Sequence, residues 1–109
     1  MSNPLINILH KFKSYNLDDA LSDPQFNDIN FTNILIAKHI NSIDTLTEYR
    51  LDKIFLVITD ANASLDKYKK ILKNNYREFL SDLIDFNDKT GYIPHNISLE
   101  NIKNSYNNI

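Results

Sequence analysis

The chain has 109 residues and a net charge of −2, with 12 Lys and Arg against 14 Asp and Glu. That length suits one domain with a modest core, and 42% hydrophobic with 24% charged residues is a globular composition, not a disordered one. Cysteine is absent, which excludes a disulfide framework, a thiolate metal site and a Cys nucleophile. So small a charge gives no strong field to draw nucleic acid or acidic lipid.

The N-terminus, Met1 to Leu9, has no basic region leading into a long apolar stretch, so no signal peptide is expected. The longest apolar run, Ile54 to Ile58, falls far short of the roughly 18 residues of a membrane span. A cytoplasmic location is the expectation, and the glycosylation sequons at Asn30, Asn62 and Asn96 are then incidental.

One Gly and three Pro suit helices with short connections rather than a sheet. Helix 1 is expected to start at Asn3-Pro4, a cap followed by a residue fit for the first helical position, with Leu5, Ile8, Leu9 and Phe12 inward. A helical turn through Leu17, Ala20 and Leu21 should break at Asp23-Pro24. Helix 2 is read from Asp28 to Asn41, burying Phe31, Ile34, Leu35, Ala37 and Ile40.

Ser42 is expected to cap helix 3, Ile43 to Ala61, with Leu46, Tyr49, Leu51, Ile54, Phe55, Val57 and Ile58 inward. The β-branched run Ile54–Ile58 also fits a buried strand, but the turn-free periodic segment before it favours helix. Helix 4 is expected as one unbroken element from the Ser64 cap to Gly91. Leu65, Tyr68, Leu72, Tyr76, Phe79, Leu83 and Phe86 recur along it in steps of three and four. Residues 92–95 read as extended, and Ser98 as the cap of a last short helix carrying Leu99, Ile102 and Tyr106.

The predicted fold is therefore all-α: an antiparallel four-helix bundle over residues 1–90 and a tail, 91–109, carrying the short extra helix. With no sheet to cover them, the apolar stripes must cover one another.

Little in the sequence carries catalytic chemistry. His10, His39 and His95 lack metal-ligand spacing and read as surface or half-buried structural residues. Asp85-x-Asn87-Asp88-x-x-Gly91 departs from a calcium loop in its glycine position and in lacking the final Glu, and reads as a polar helix end. Asp82 and Asp85 form a carboxylate pair on what reads as a solvated face. No catalysis and no cofactor or metal is expected.

The uneven feature is a cluster of cations. Lys67, Lys69, Lys70 and Lys73 crowd the first half of helix 4, with Arg77 just beyond; Lys69, Lys73 and Arg77 form one i, i+4 stripe. Like charges there repel mildly and sit at the wrong end of the helix dipole. The plain reading is a solvated lysine-rich face; the functional one is a patch for acidic headgroups or an acidic protein surface. Tyr92 and Tyr106 lie outside the four main helices and either pin the tail or anchor a partner.

The segment Leu21-Ser22-Asp23-Pro24-Gln25-Phe26-Asn27-Asp28-Ile29, the opening Leu65-Asp66-Lys67-Tyr68 and the later Phe79-Leu80-Ser81-Asp82-Leu83 together resemble the enterocin A / pediocin-like bacteriocin immunity proteins. The resemblance spans roughly Leu17 to Gly91. The slightly acidic balance departs from the basic character frequent in that family, which counts against direct membrane adhesion. The resemblance implies a four-helix bundle that protects its producer from a pore-forming peptide. Such a protein acts from the cytosolic side on a bacteriocin–receptor complex, the receptor being a membrane sugar transporter, with selectivity in the C-terminal half. No nucleic acid and at most peripheral membrane contact are implied. The partner-binding candidates remain those read from the residues: Lys67, Lys69, Lys70, Lys73, Arg77, Tyr92 and Tyr106.

Two other readings compete. One is an immunity protein that inhibits a cytosolic nuclease toxin through acidic surface, with Asp18, Asp19, Asp23 and the Asp82–Asp88 stretch as contacts. The other is an enzyme or small-ligand regulator, which would need a polar pocket within the bundle.

Overall fold

The computed structural model describes residues 3–16, 28–60, 62–91 and 97–108, with backbone only for 28–31 and 90. Among these residues every regular element is helical, and there are no strands. The expectations for residues 17–27, the extended reading of 92–95, Tyr92 and His95 lie outside the described residues.

Helix α1 runs Pro4–Lys13, its N-terminus closed by the Asn3 side chain, which accepts from the Leu5 amide at 2.9 Å. Leu9 is fully buried, with Leu5, Ile6 and Phe12 packed beside it. Ile8, expected inward, is exposed: it lies about 100° round the helix from Leu9, beyond the stripe made by Leu5, Ile6, Leu9 and Phe12.

Helix α2, Asp28–Lys38, buries four consecutive residues, Ile34 to Ala37. It is therefore enclosed nearly all round, and Ile36 joins the core although the stripe omitted it. Two lysines satisfy backbone carbonyls where the C-terminal ends of α1 and α2 meet. Lys13 donates to the Ile40 carbonyl at 2.8 Å and Lys38 to the Lys13 carbonyl at 3.1 Å.

The expected helix from Ile43 is two pieces. Ile43–Thr45 is a 3-10 turn preceded by Ser42 in left-handed backbone, so Ser42 is no cap of a long helix. Thr47 is the effective cap, its hydroxyl accepting from the Arg50 amide at 3.1 Å, and it starts α3, Glu48–Ile58. Helix, not strand, is thus the state of Ile54–Ile58. Leu51, Ile54 and Ile58 point inward. Tyr49, expected inward, is 71% exposed, because it lies across the helix from Leu51 and Ile58.

The long fourth helix is also interrupted. Helix α4, Leu65–Leu72, and helix α5, Tyr76–Thr90, flank a 3-10 turn at Lys73–Asn75. Lys73 carries a φ of 50°, which a continuous helix cannot contain. The Asn75 side-chain amide donates to the His39 carbonyl at 2.7 Å, fastening the interruption to the end of α2. Buried groups lie on both sides of the break: Tyr68, Ile71 and Leu72 before it, Tyr76, Phe79, Leu80 and Leu83 after it. Gly91 ends α5 as expected, at φ 75°, its amide bonded to the Asn87 carbonyl at 2.7 Å.

Helix α6, Leu99–Asn107, starts at Ser98, whose hydroxyl accepts from the Asn101 amide at 3.2 Å. Its buried Ile102 faces the core. α2, α4 and α6 all pack against α5, α1 packs against α2 and α3, and α3 packs against α4. Phe79, fully buried, meets Tyr68 edge-on at 5.7 Å and His39 at 6.2 Å between ring centres, so one ring joins α2, α4 and α5.

Candidate binding surfaces

The break at Lys73 ends the expected i, i+4 stripe of Lys69, Lys73 and Arg77. Helix α4 then distributes its lysines to two flanks. Lys67 and Lys70 face α3, Lys69 faces α6, and Lys73 stays exposed on the turn itself.

On the α3 side lies an open cleft of about 320 Å³ lined by Tyr49, Arg50, Lys53, Val57, Lys67, Lys70 and Ile71. Two contacts hold its walls. At one end the Arg50 guanidinium donates to the Ile71 carbonyl, satisfying a C-terminal carbonyl of α4. At the other, Lys67 pairs with Asp60 at 2.8 Å. These ties at opposite ends make α3 and α4 antiparallel neighbours. The Lys67 hydrogen bond, helped by the Asn62 amide, holds the Asp60 carboxyl below its ordinary pKa. The Lys53 ammonium lies 5.3 Å from the Tyr49 ring centre. Among the described residues neither Lys53 nor Lys70 has a carboxylate at ion-pair distance. Four cations therefore line this cleft, and among the described residues only one of them, Lys67, is ion-paired, with Asp60.

Of the cleft's residues, reading the sequence picked out Lys67 and Lys70 but missed Arg50, Lys53 and Tyr49. The latter three sit between core residues of α3, where a charge count sees no cluster. A helical projection would have found them: Tyr49, Lys53, Val57 and Arg50 fall within about 100° of one another.

On the opposite flank of α4 a polar cleft of about 490 Å³ opens toward α6. It is lined by Lys69, Asp66, Tyr76, Ser105 and three asparagines, Asn101, Asn104 and Asn108, among others. Tyr76 is 5% exposed. Burial pushes its phenol above the ordinary value, the Asp66 charge adds to that, and a hydrogen bond with Ser105 opposes it. Beside this cleft, Arg77 at the start of α5 stacks 5.2 Å from the Tyr106 ring at the end of α6, so these two helices run antiparallel. Tyr106 thus pins the tail helix and, with Arg77, forms one surface.

The remaining candidates are accounted for by local partners. His10 bonds Asp44 at 2.8 Å and His39 bonds Asp82 at 2.6 Å, so Asp82 is paired rather than merely solvated. Asp85, Asn87 and Asp88 lie within α5, not in a loop. Among the described residues no group of three or more His, Cys, Asp or Glu is placed to hold a metal ion.

No protein-family model, curated protein or solved structure matches the chain.

Proposed function

We propose that the chain is a bacteriocin immunity protein. It protects a producing cell from a pore-forming peptide by binding the bacteriocin–receptor complex from the cytosolic side, the receptor being a membrane sugar transporter. It acts by binding alone, without catalysis and without a cofactor. The resemblance over Leu17 to Gly91 suggests the class, and the observation that carries the reading is the seating of α6. Ile102 is buried and Arg77 stacks on Tyr106, so α5 and α6 form one ordered surface where the resemblance places target selection.

The finer fold belongs to the same proposal: an antiparallel four-helix bundle of α1, α2, α3 and the α4–α5 pair, with α6 as the tail helix. The antiparallel ties between α3 and α4 support it. The meeting of the C-terminal ends of α1 and α2 weighs against that sense for this one pair. The proposed location is the cytoplasm, with at most peripheral contact at the inner face of the membrane; among the described residues no helix is long and apolar enough to cross it. The nuclease-inhibitor reading gains no comparable support, since Asp82 is engaged by His39.

The test is expression in cells sensitive to pediocin-like peptides. Survival at peptide concentrations that kill the parent strain is the expected result, with protection weakened in an Arg77→Ala, Tyr106→Ala double variant that keeps its helical circular dichroism. Undiminished killing by every such peptide tried would overturn the proposal.

A further inference from the structure

We infer that the α3–α4 cleft is a docking site for an acidic peptide segment of a protein partner, one that carries an apolar side chain between its carboxylates. The inference rests on the reading of the chain as a protein-binding module and names the chemistry of one of its contacts.

Three observations converge on this occupant. The first is charge. Arg50, Lys53, Lys67 and Lys70 line one concavity in a chain whose net charge is negative, and among the described residues Asp60 is the only carboxylate at ion-pair distance from any of them. Facing cations on two helices repel each other, and a polyanionic segment laid between them removes that repulsion. The second is the apolar lining. Val57 is half-buried and Ile71 is 6% exposed within the same cleft. At about 320 Å³ the space is at the small end for ligand pockets, which suits one or two side chains of a peptide. The third is the exposed apolar strip beside it. Tyr49 and Leu56 are 71% and 66% exposed and lie within about 20° of each other round α3. Side chains of that size left open next to a charged cleft are the kind that anchor protein contacts.

A bilayer of anionic lipid would meet the same cations but fits the rest less well. The cations line a recess rather than a raised face. Glu48 and Asp52, both exposed on the other side of the Tyr49–Leu56 strip, would be pressed toward like-charged headgroups.

The experiment uses the full chain and a fluorescein-labelled Glu-Glu-Leu-Glu-Glu peptide, read by fluorescence anisotropy at low and at physiological salt. Saturable binding that weakens as salt rises is expected. A Lys53→Glu, Lys70→Glu variant, changed only at exposed positions, should bind at least tenfold more weakly. A Lys89→Glu, Lys103→Glu variant with the same change in net charge should bind as the parent does. Replacing the peptide's Leu by Ser should also cost about tenfold, the scale expected when an apolar anchor is lost. The inference is overturned by no binding at millimolar peptide, by equal loss in both lysine variants, or by binding to phosphatidylglycerol vesicles without binding to the peptide. Cell protection that survives the Lys53→Glu, Lys70→Glu change would overturn this cleft's part in immunity while leaving the immunity reading intact. Peptide binding by a chain that protects no cell would sink the immunity reading and leave the cleft.

Discussion

Tyr76 links stability to alkaline pH. Its phenol is buried, and burial raises its pKa above the ordinary 10.0. A group whose folded pKa exceeds its unfolded one keeps its proton longer in the native state. The associated stability is complete below about pH 10 and is lost as the pH climbs from there through the folded value. Equilibrium urea denaturation between pH 8 and 11.5 should therefore show the parent losing stability more steeply above pH 10 than a Tyr76→Phe variant. The variant should start lower by about 1 kcal/mol at pH 8, the net worth of the hydrogen bond with Ser105. Parallel decline of the two proteins would mean the phenol is not the titrating group. Tyr76 was legible in the sequence as a core position, since its spacing from Leu72 and Phe79 is helical. Its polar neighbours Ser105 and Asp66 were not, because contacts of α5 with α6 and α4 leave no periodic trace.

At the scale of elements, the sequence predicted helices best where a cap and a stripe coincide. Asn3-Pro4, Ser98 and Gly91 mark real ends because the capping chemistry is local. The interruption at Lys73 escaped because Lys-Asn-Asn contains neither Gly nor Pro, and the apolar spacing carries on across it. Its cause is tertiary: the Asn75 side-chain amide is held by the His39 carbonyl, and Tyr76 must still reach the core. The long helix expected from Ile43 failed in the same way, with Thr47 rather than Ser42 supplying the cap. A lysine at φ 50° stores backbone strain that glycine would not. Lys73→Gly should stabilise the protein by about 1 kcal/mol, and Asn75→Ala should cost about as much by losing its hydrogen bond. Chemical denaturation midpoints decide both, and a Lys73→Gly variant less stable than the parent would show that the position is helical in solution.

For the whole molecule the core is one cluster with Phe79 at its middle, touching rings from two other helices. Phe79→Ala should cost about 3–5 kcal/mol, a large share of the roughly 5–15 kcal/mol that holds a domain of this size together. Loss of the cooperative thermal transition, or its shift by many degrees, is the expected result. Helical class and most core residues could be read from spacing, because burial and period are coupled. The division of the lysines between two clefts could not, because it depends on which neighbour flanks α4 on each side.

That division has a mechanical corollary. Helix α4 is the partition wall common to both clefts, presenting Lys67, Lys70 and Ile71 to one chamber and Asp66 and Lys69 to the other. It joins α5 through the irregular backbone at Lys73 rather than through continuous helix. Both linings therefore hang on the same eight-residue helix, Leu65–Leu72, so a substitution along α4 has to be read for its effect on each of the two clefts.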